Sequence, residues 1–107
     1  MADVASAVAN VKEYDSGADE ALVAAVFKGL GPAVHNKDAC LVSCSDPSEL
    51  NTVRNNFLIK KLGMSEGPEL DAGIKEVCET MKDTRRKSRV TFYYLLTKKF
   101  GKESVYA

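Results

Sequence analysis

Apolar residues recur along this chain at the three- and four-residue spacing of amphipathic helices, and rarely at the alternation of a half-buried strand. Val4, Val8 and Val11 form one such stripe before Asp15-Ser16-Gly17 interrupts it, which predicts a short first helix from Ala2 to about Lys12. A second helix opens behind Asp19 as cap, with Glu20 complementing the positive end of the dipole. It carries Leu22, Val23, Val26, Phe27 and Leu30 on one face and stops at Gly31-Pro32. Asp46-Pro47-Ser48-Glu49 has the order of a capping box with proline at the first helical position. The helix it starts points Leu50, Val53, Phe57, Leu58 and Leu62 inward and Arg54, Lys60 and Lys61 outward, up to Gly63. After Gly67-Pro68, a fourth stripe runs through Leu70, Ile74, Val77, Cys78 and Met81. The last helix, Val90 to Phe100, holds Phe92, Tyr93, Leu95, Leu96 and Phe100. Lys98 and Lys99 suit its negative end, and Gly101 suits its C-cap.

The pattern therefore specifies an all-α, compact single-domain bundle of about five short helices over residues 1–107, with 102–107 a loose tail. Two stretches stay open. Ala39-Cys40-Leu41-Val42 fits a short extended piece as well as a helical turn, and Arg85 to Ser88 fits a break as well as a continuous helix. A chain of 107 residues buries about two thirds of its unfolded surface, enough to fold without metals or disulfides.

Charge changes this picture more than composition does. The formal net charge is zero, yet residues 1–81 carry 7 basic and 13 acidic groups, and residues 82–107 carry 8 basic and 2 acidic. No run approaches the ~18 apolar residues of a membrane span. The N-terminus lacks the basic start of a signal peptide and the arginines of a presequence, so no targeting signal is expected. Three cysteines, Cys40, Cys44 and Cys78, are an odd number, which reads as thiols in the cytoplasm or another reducing compartment.

The basic run Arg85-Arg86-Lys87-Ser88-Arg89 is the leading candidate site, because guanidinium forks match phosphate oxygens. Its bland counterpart is a junction that pairs with the chain's own acidic half. Neutral overall charge argues against a dedicated nucleic-acid domain. Arg85, Arg86 and Ser88 also satisfy a loose basic-directed phosphorylation pattern of the kind that arises by chance. Cys40, Cys44, Cys78 and His35 make zinc arithmetically possible, but no tight C-x-x-C pair is present, so no metal and no cofactor are expected. Nothing orients His35 and a cysteine as a nucleophilic dyad, and Asp19-Glu20 and Glu69-Asp71 read as first-turn dipole partners, so an enzyme is the weakest class.

The segment Lys87-Ser88-Arg89-Val90-Thr91-Phe92-Tyr93-Tyr94-Leu95-Leu96 resembles a small, mainly bacterial family known as domain of unknown function 2853. Asp19-Glu20-Ala21, Ser45-Asp46-Pro47, Lys60-Lys61-Leu62-Gly63 and Val77-Cys78-Glu79 with Met81-Lys82 extend the likeness over most of residues 12–101. The resemblance implies a compact helical protein and defines no catalytic or binding residues. The expected function is a non-enzymatic interaction module, or a small accessory subunit that joins a protein partner or forms a homo-oligomer. Phe92, Tyr93, Tyr94 and Phe100 are its candidate interface. The alternative is phosphate or nucleic-acid binding through Arg85, Arg86, Lys87 and Arg89.

Overall fold

In a computed structural model describing residues 4–30, 41–82 and 87–106, five α-helices are seen among the described residues. They are α1 (Val4–Lys12), α2 (Glu20–Leu30), α3 (Pro47–Thr52), α4 (Pro68–Thr80) and α5 (Arg89–Lys99). Two two-residue strands, β1 (Leu41–Val42) and β2 (Lys87–Ser88), pair antiparallel with Leu41 opposite Ser88 and Val42 opposite Lys87. Both open stretches are thereby decided where they are described: Leu41–Val42 is extended, and Lys87–Ser88 separates α4 from α5. The Cα radius of gyration, 12.5 Å, is that of a compact domain, for which about 13 Å is usual at 100 residues.

The first turn is built as the sequence suggests. Asp19 Oδ1 accepts the Leu22 N–H at 3.2 Å and caps α2, while Asp15 Oδ1 accepts the Gly17 N–H at 3.2 Å. The buried Tyr94 of α5 fixes this turn from below: its hydroxyl donates to Asp15 Oδ2 at 2.9 Å and accepts from the Asp19 N–H at 3.0 Å.

The capping box before α3 is half made. Asp46 Oδ1 accepts the Ser48 N–H at 2.9 Å, but the Asp46 N–H bonds the Ser43 carbonyl at 3.3 Å. Glu49, expected to return to that N–H, instead ion-pairs with Arg89. Beyond Thr52 the helix widens into a π-helical stretch, Val53–Ile59, instead of continuing as α. The i→i+5 bonds include Lys60 N–H to Asn55 O at 3.3 Å and Leu62 N–H to Phe57 O at 2.9 Å. The apolar pattern explains the change. At about 100° per residue, an α-helix would put Val53 and Leu62 on opposite sides. The smaller rotation of the wider turn lets Val53, Phe57, Leu58 and Leu62 all reach the core. Gly63, at φ +69°, ends the stretch.

Leu70, Ile74, Val77 and Met81 of α4 are buried, as their stripe implies. Helix α5 is the centre of the bundle. Eight of its residues, from Arg89 to Thr97, are buried, so it has no wet face until Lys98 and Lys99. It ends in a Schellman motif: the Lys102 N–H bonds Thr97 O at 3.0 Å, the Gly101 N–H bonds Lys98 O at 3.2 Å, and Gly101 sits at φ +64°.

Two expectations are corrected here. Cys44 and Cys78 are not thiols but a disulfide, with Cα atoms 5.9 Å apart, because the loop after β1 is laid directly against α4. The odd count hid a pair, since spacing along the chain says nothing about proximity in space; Cys40 and His35 lie outside the described residues. The tail is not loose either. Glu103–Tyr106 form a 3₁₀ turn, and the half-buried Tyr106 ring packs over Gly29, where an added Cβ would meet Cε1 at 3.4 Å.

Candidate functional site

The basic run does not act as one patch. Arg85 and Arg86 lie outside the described residues, and of Lys87 the backbone in β2 is described. Arg89, the fourth member, is turned inward. It is 9 % exposed, its Nη1 donates to the Tyr93 hydroxyl at 3.0 Å, and its Nη2 is ion-paired with Glu49. Burial opposes the guanidinium charge, but the facing Tyr93 and the Glu49 carboxylate outweigh it and hold the pKa above its ordinary value. An anion would have to displace Glu49 to reach this fork.

The aromatic interface expected on the last helix is also corrected. Phe92 and Tyr94 are fully buried and Tyr93 is 7 % exposed. Phe100 is half buried against α4 at Gly73, where an added Cβ would lie 2.3 Å from its Cζ. With five consecutive apolar or aromatic residues, Phe92 to Leu96, α5 is apolar all round, and such a helix belongs in the middle of a fold. Tyr93 stacks on Phe57 of the π-helical stretch, ring centroids 3.9 Å apart and planes 15° from parallel. Burial, more than the opposing pull of Arg89, sets its phenol pKa above the usual tyrosine value.

Next to this stack the structure gathers residues that the sequence did not single out as a group. The C-terminal end of α2 (Gly29, Leu30), the π-helical stretch and its exit (Asn56, Phe57, Lys61), Tyr93 and Tyr106 surround a recess of about 190 Å³. A second recess of about 250 Å³ lies on the other side of Tyr106, lined by Asp19, Leu22, Glu103 and Ser104 among others. Tyr106 therefore forms a ridge between two hollows. The ammonium of exposed Lys61 sits 4.9 Å from the centroid of its ring, within cation–π range. Burial, with a smaller contribution from Tyr93, pushes the Tyr106 phenol up to about 12.

Three local features build the site: a glycine that lets a ring approach α2, a widened helix that carries Phe57 and Lys61 on neighbouring edges, and a chain reversal at Gly101 that brings Tyr106 back. The signal for the last was present as an aromatic residue shortly after a helix-ending glycine. Groups of this kind bind by stacking, apolar contact and a cationic rim. Among the described residues, no group of three or more His, Cys, Asp and Glu side chains converges on a metal position. No helix among them is long and apolar enough to cross a membrane.

A family model described as Protein of unknown function (DUF2853) matches residues 6–104. No curated protein matches the chain.

Proposed function

The chain belongs to this family of unknown function, and from that premise we propose that it is a non-enzymatic interaction module that receives a partner polypeptide in the groove on either side of Tyr106. One observation carries the reading: the groove already holds an aromatic side chain under a lysine, with hollows of about 190 and 250 Å³ flanking it. A site that seats Tyr106 has the shape and rim for an aromatic residue presented by another chain, with acidic neighbours to suit Lys61. This moves the interface from the α5 aromatics, which are committed to the core, to the α2 and π-helical edge.

The test is native mass spectrometry and affinity co-purification of the full chain, beside an Asn56→Arg variant that fills the smaller recess and a Lys61→Glu variant that inverts its rim. A discrete partner or oligomer, lost in both variants while the fold persists, is the expected result. A monomer that recovers nothing specific sinks the reading. Phosphate or nucleic-acid binding is the second reading, and it now rests on Arg85, Arg86 and Lys87 without Arg89. Salt-sensitive RNA retention that disappears when those three become alanine would favour it instead.

A further inference from the structure

We propose that the Cys44–Cys78 disulfide is a reversible exchange site for a small monothiol, and that its redox state decides whether the β1–β2 ladder stays fastened to the helical body. The bond joins residues 34 positions apart, one in the short loop between β1 and α3, the other near the end of α4. Both cysteines are half buried at the border of the core, packed against it from outside. A small thiolate in solution can reach a sulfur at such a border, whereas one within the core would be shielded.

The segment that the bond holds is thinly attached otherwise. Its ladder is two residue pairs long, and α3 contains no buried residue. Between residues 41 and 52, Val42 is the one buried side chain among those described, and the Glu49–Arg89 ion pair is a further tie across to α5. Most of the main core lies outside this segment. Val11, Val23, Val26, Val53, Leu58, Phe92 and Leu96 are fully buried on α1, α2, the π-helical stretch and α5. Opening the bond should thus release a local unit and leave the bundle standing.

The chemistry is ordinary thiol–disulfide exchange. A monothiol of the glutathione class attacks one sulfur as its thiolate, forming a mixed disulfide and expelling the other cysteine as a thiolate, which takes up a proton. A second monothiol then attacks the small-thiol sulfur of the mixed disulfide. The products are two cysteine thiols and one small-molecule disulfide, so two electrons pass from the two monothiols to the protein bond. The consequence falls on β2, because Lys87 and Ser88 pair with β1 and lie within the basic run. Oxidised, the bond keeps that segment tethered through β1; reduced, the tether is lost.

The experiment uses the full chain with Cys40→Ser, so that exchange is confined to one pair, in mixtures of reduced and oxidised glutathione. Free thiols are counted by the mass of alkylated protein, and backbone hydrogen exchange is read in parallel. The expected result is a reversible glutathione midpoint, with amides of residues 41–42 and 87–88 exchanging about tenfold faster or more after reduction while α2 and α5 keep their protection. A Cys44→Ser/Cys78→Ser variant should show the reduced pattern at every glutathione ratio. A bond that folded protein never exchanges with glutathione overturns the proposal, as does unchanged protection of the ladder. Loss of α2 and α5 protection on reduction, or loss of helical circular dichroism in the double serine variant, overturns it equally.

Discussion

Arg89 and Glu49 stand 40 residues apart in the chain and meet as an ion pair at the edge of the core, so the last arginine of the basic run is a structural cation. Arg89 also donates to the Tyr93 hydroxyl, one helical turn further along α5, whose ring is stacked on Phe57. The pair thus ties α3 to α5 beside the π-helical stretch.

Removing only the carboxylate takes the Glu49 ion pair from a guanidinium that is 11 % exposed. Breaking a fully buried pair costs about 3–5 kcal/mol; with 24 % of the Glu49 side chain exposed, Glu49→Ala is expected to cost about 2 kcal/mol. Arg89→Met in the same chain should return part of that loss, because the buried charge goes with it. Urea denaturation of the two single variants and the double variant measures the coupling. Independent, additive losses would show that the pair contributes nothing.

Gly73 is a contact residue more than a flexible one. Alanine in an open helix gains about 1 kcal/mol over glycine, but here its Cβ would lie 2.3 Å from Phe100 Cζ, and forced overpacking costs about 1–3 kcal/mol. Gly73→Ala is therefore expected to lower the thermal midpoint, and Phe100→Leu in the Gly73→Ala background should recover it. A Gly73→Ala protein as stable as the parent would mean that the ring swings aside freely.

Tyr106 gives the fold a response to alkaline pH. Its pKa is raised from an ordinary 10.0 to about 12, so the neutral phenol is the form that the folded chain favours. The associated stability is complete below pH 10 and is lost as pH rises through 12. The groups facing the ring are Lys61 of the π-helical exit and Tyr93 of α5. Ultraviolet titration of tyrosinate should show a late component that is reduced in amplitude in Tyr106→Phe, and the variant should lose less stability between pH 10 and 12 than the parent. Identical titrations would contradict the seating of this ring.

Helix positions were readable from the chain because each stripe has its own punctuation: Asp19 and Asp46 as caps, Pro47 and Pro68 at first turns, Gly63 and Gly101 at ends. What escaped was long-range. Glu49 has two suitors, a nearby backbone N–H and a distant guanidinium, and local pattern cannot weigh the second. Cys44 and Cys78 likewise meet only after β1 and α4 are placed. The aromatic run of α5 was visible but open to two readings, core or interface, and only packing against α1, α2 and α4 chooses between them. Lys61 and Tyr106 come together through a widened helix and a chain reversal, and although each leaves a local trace in the sequence, their meeting is a long-range contact that no local pattern specifies.

Because α5 is the last of the described α-helices in chain order and yet fills the middle of the bundle, a growing polypeptide lacks its central packing partner until residues 89–99 have left the ribosome. The earlier helices must wait, partly formed and with their apolar stripes uncovered, for the segment they surround. These helices therefore assemble in one late, concerted collapse in place of stepwise growth, and the interval before it is when chaperones would have most to hold.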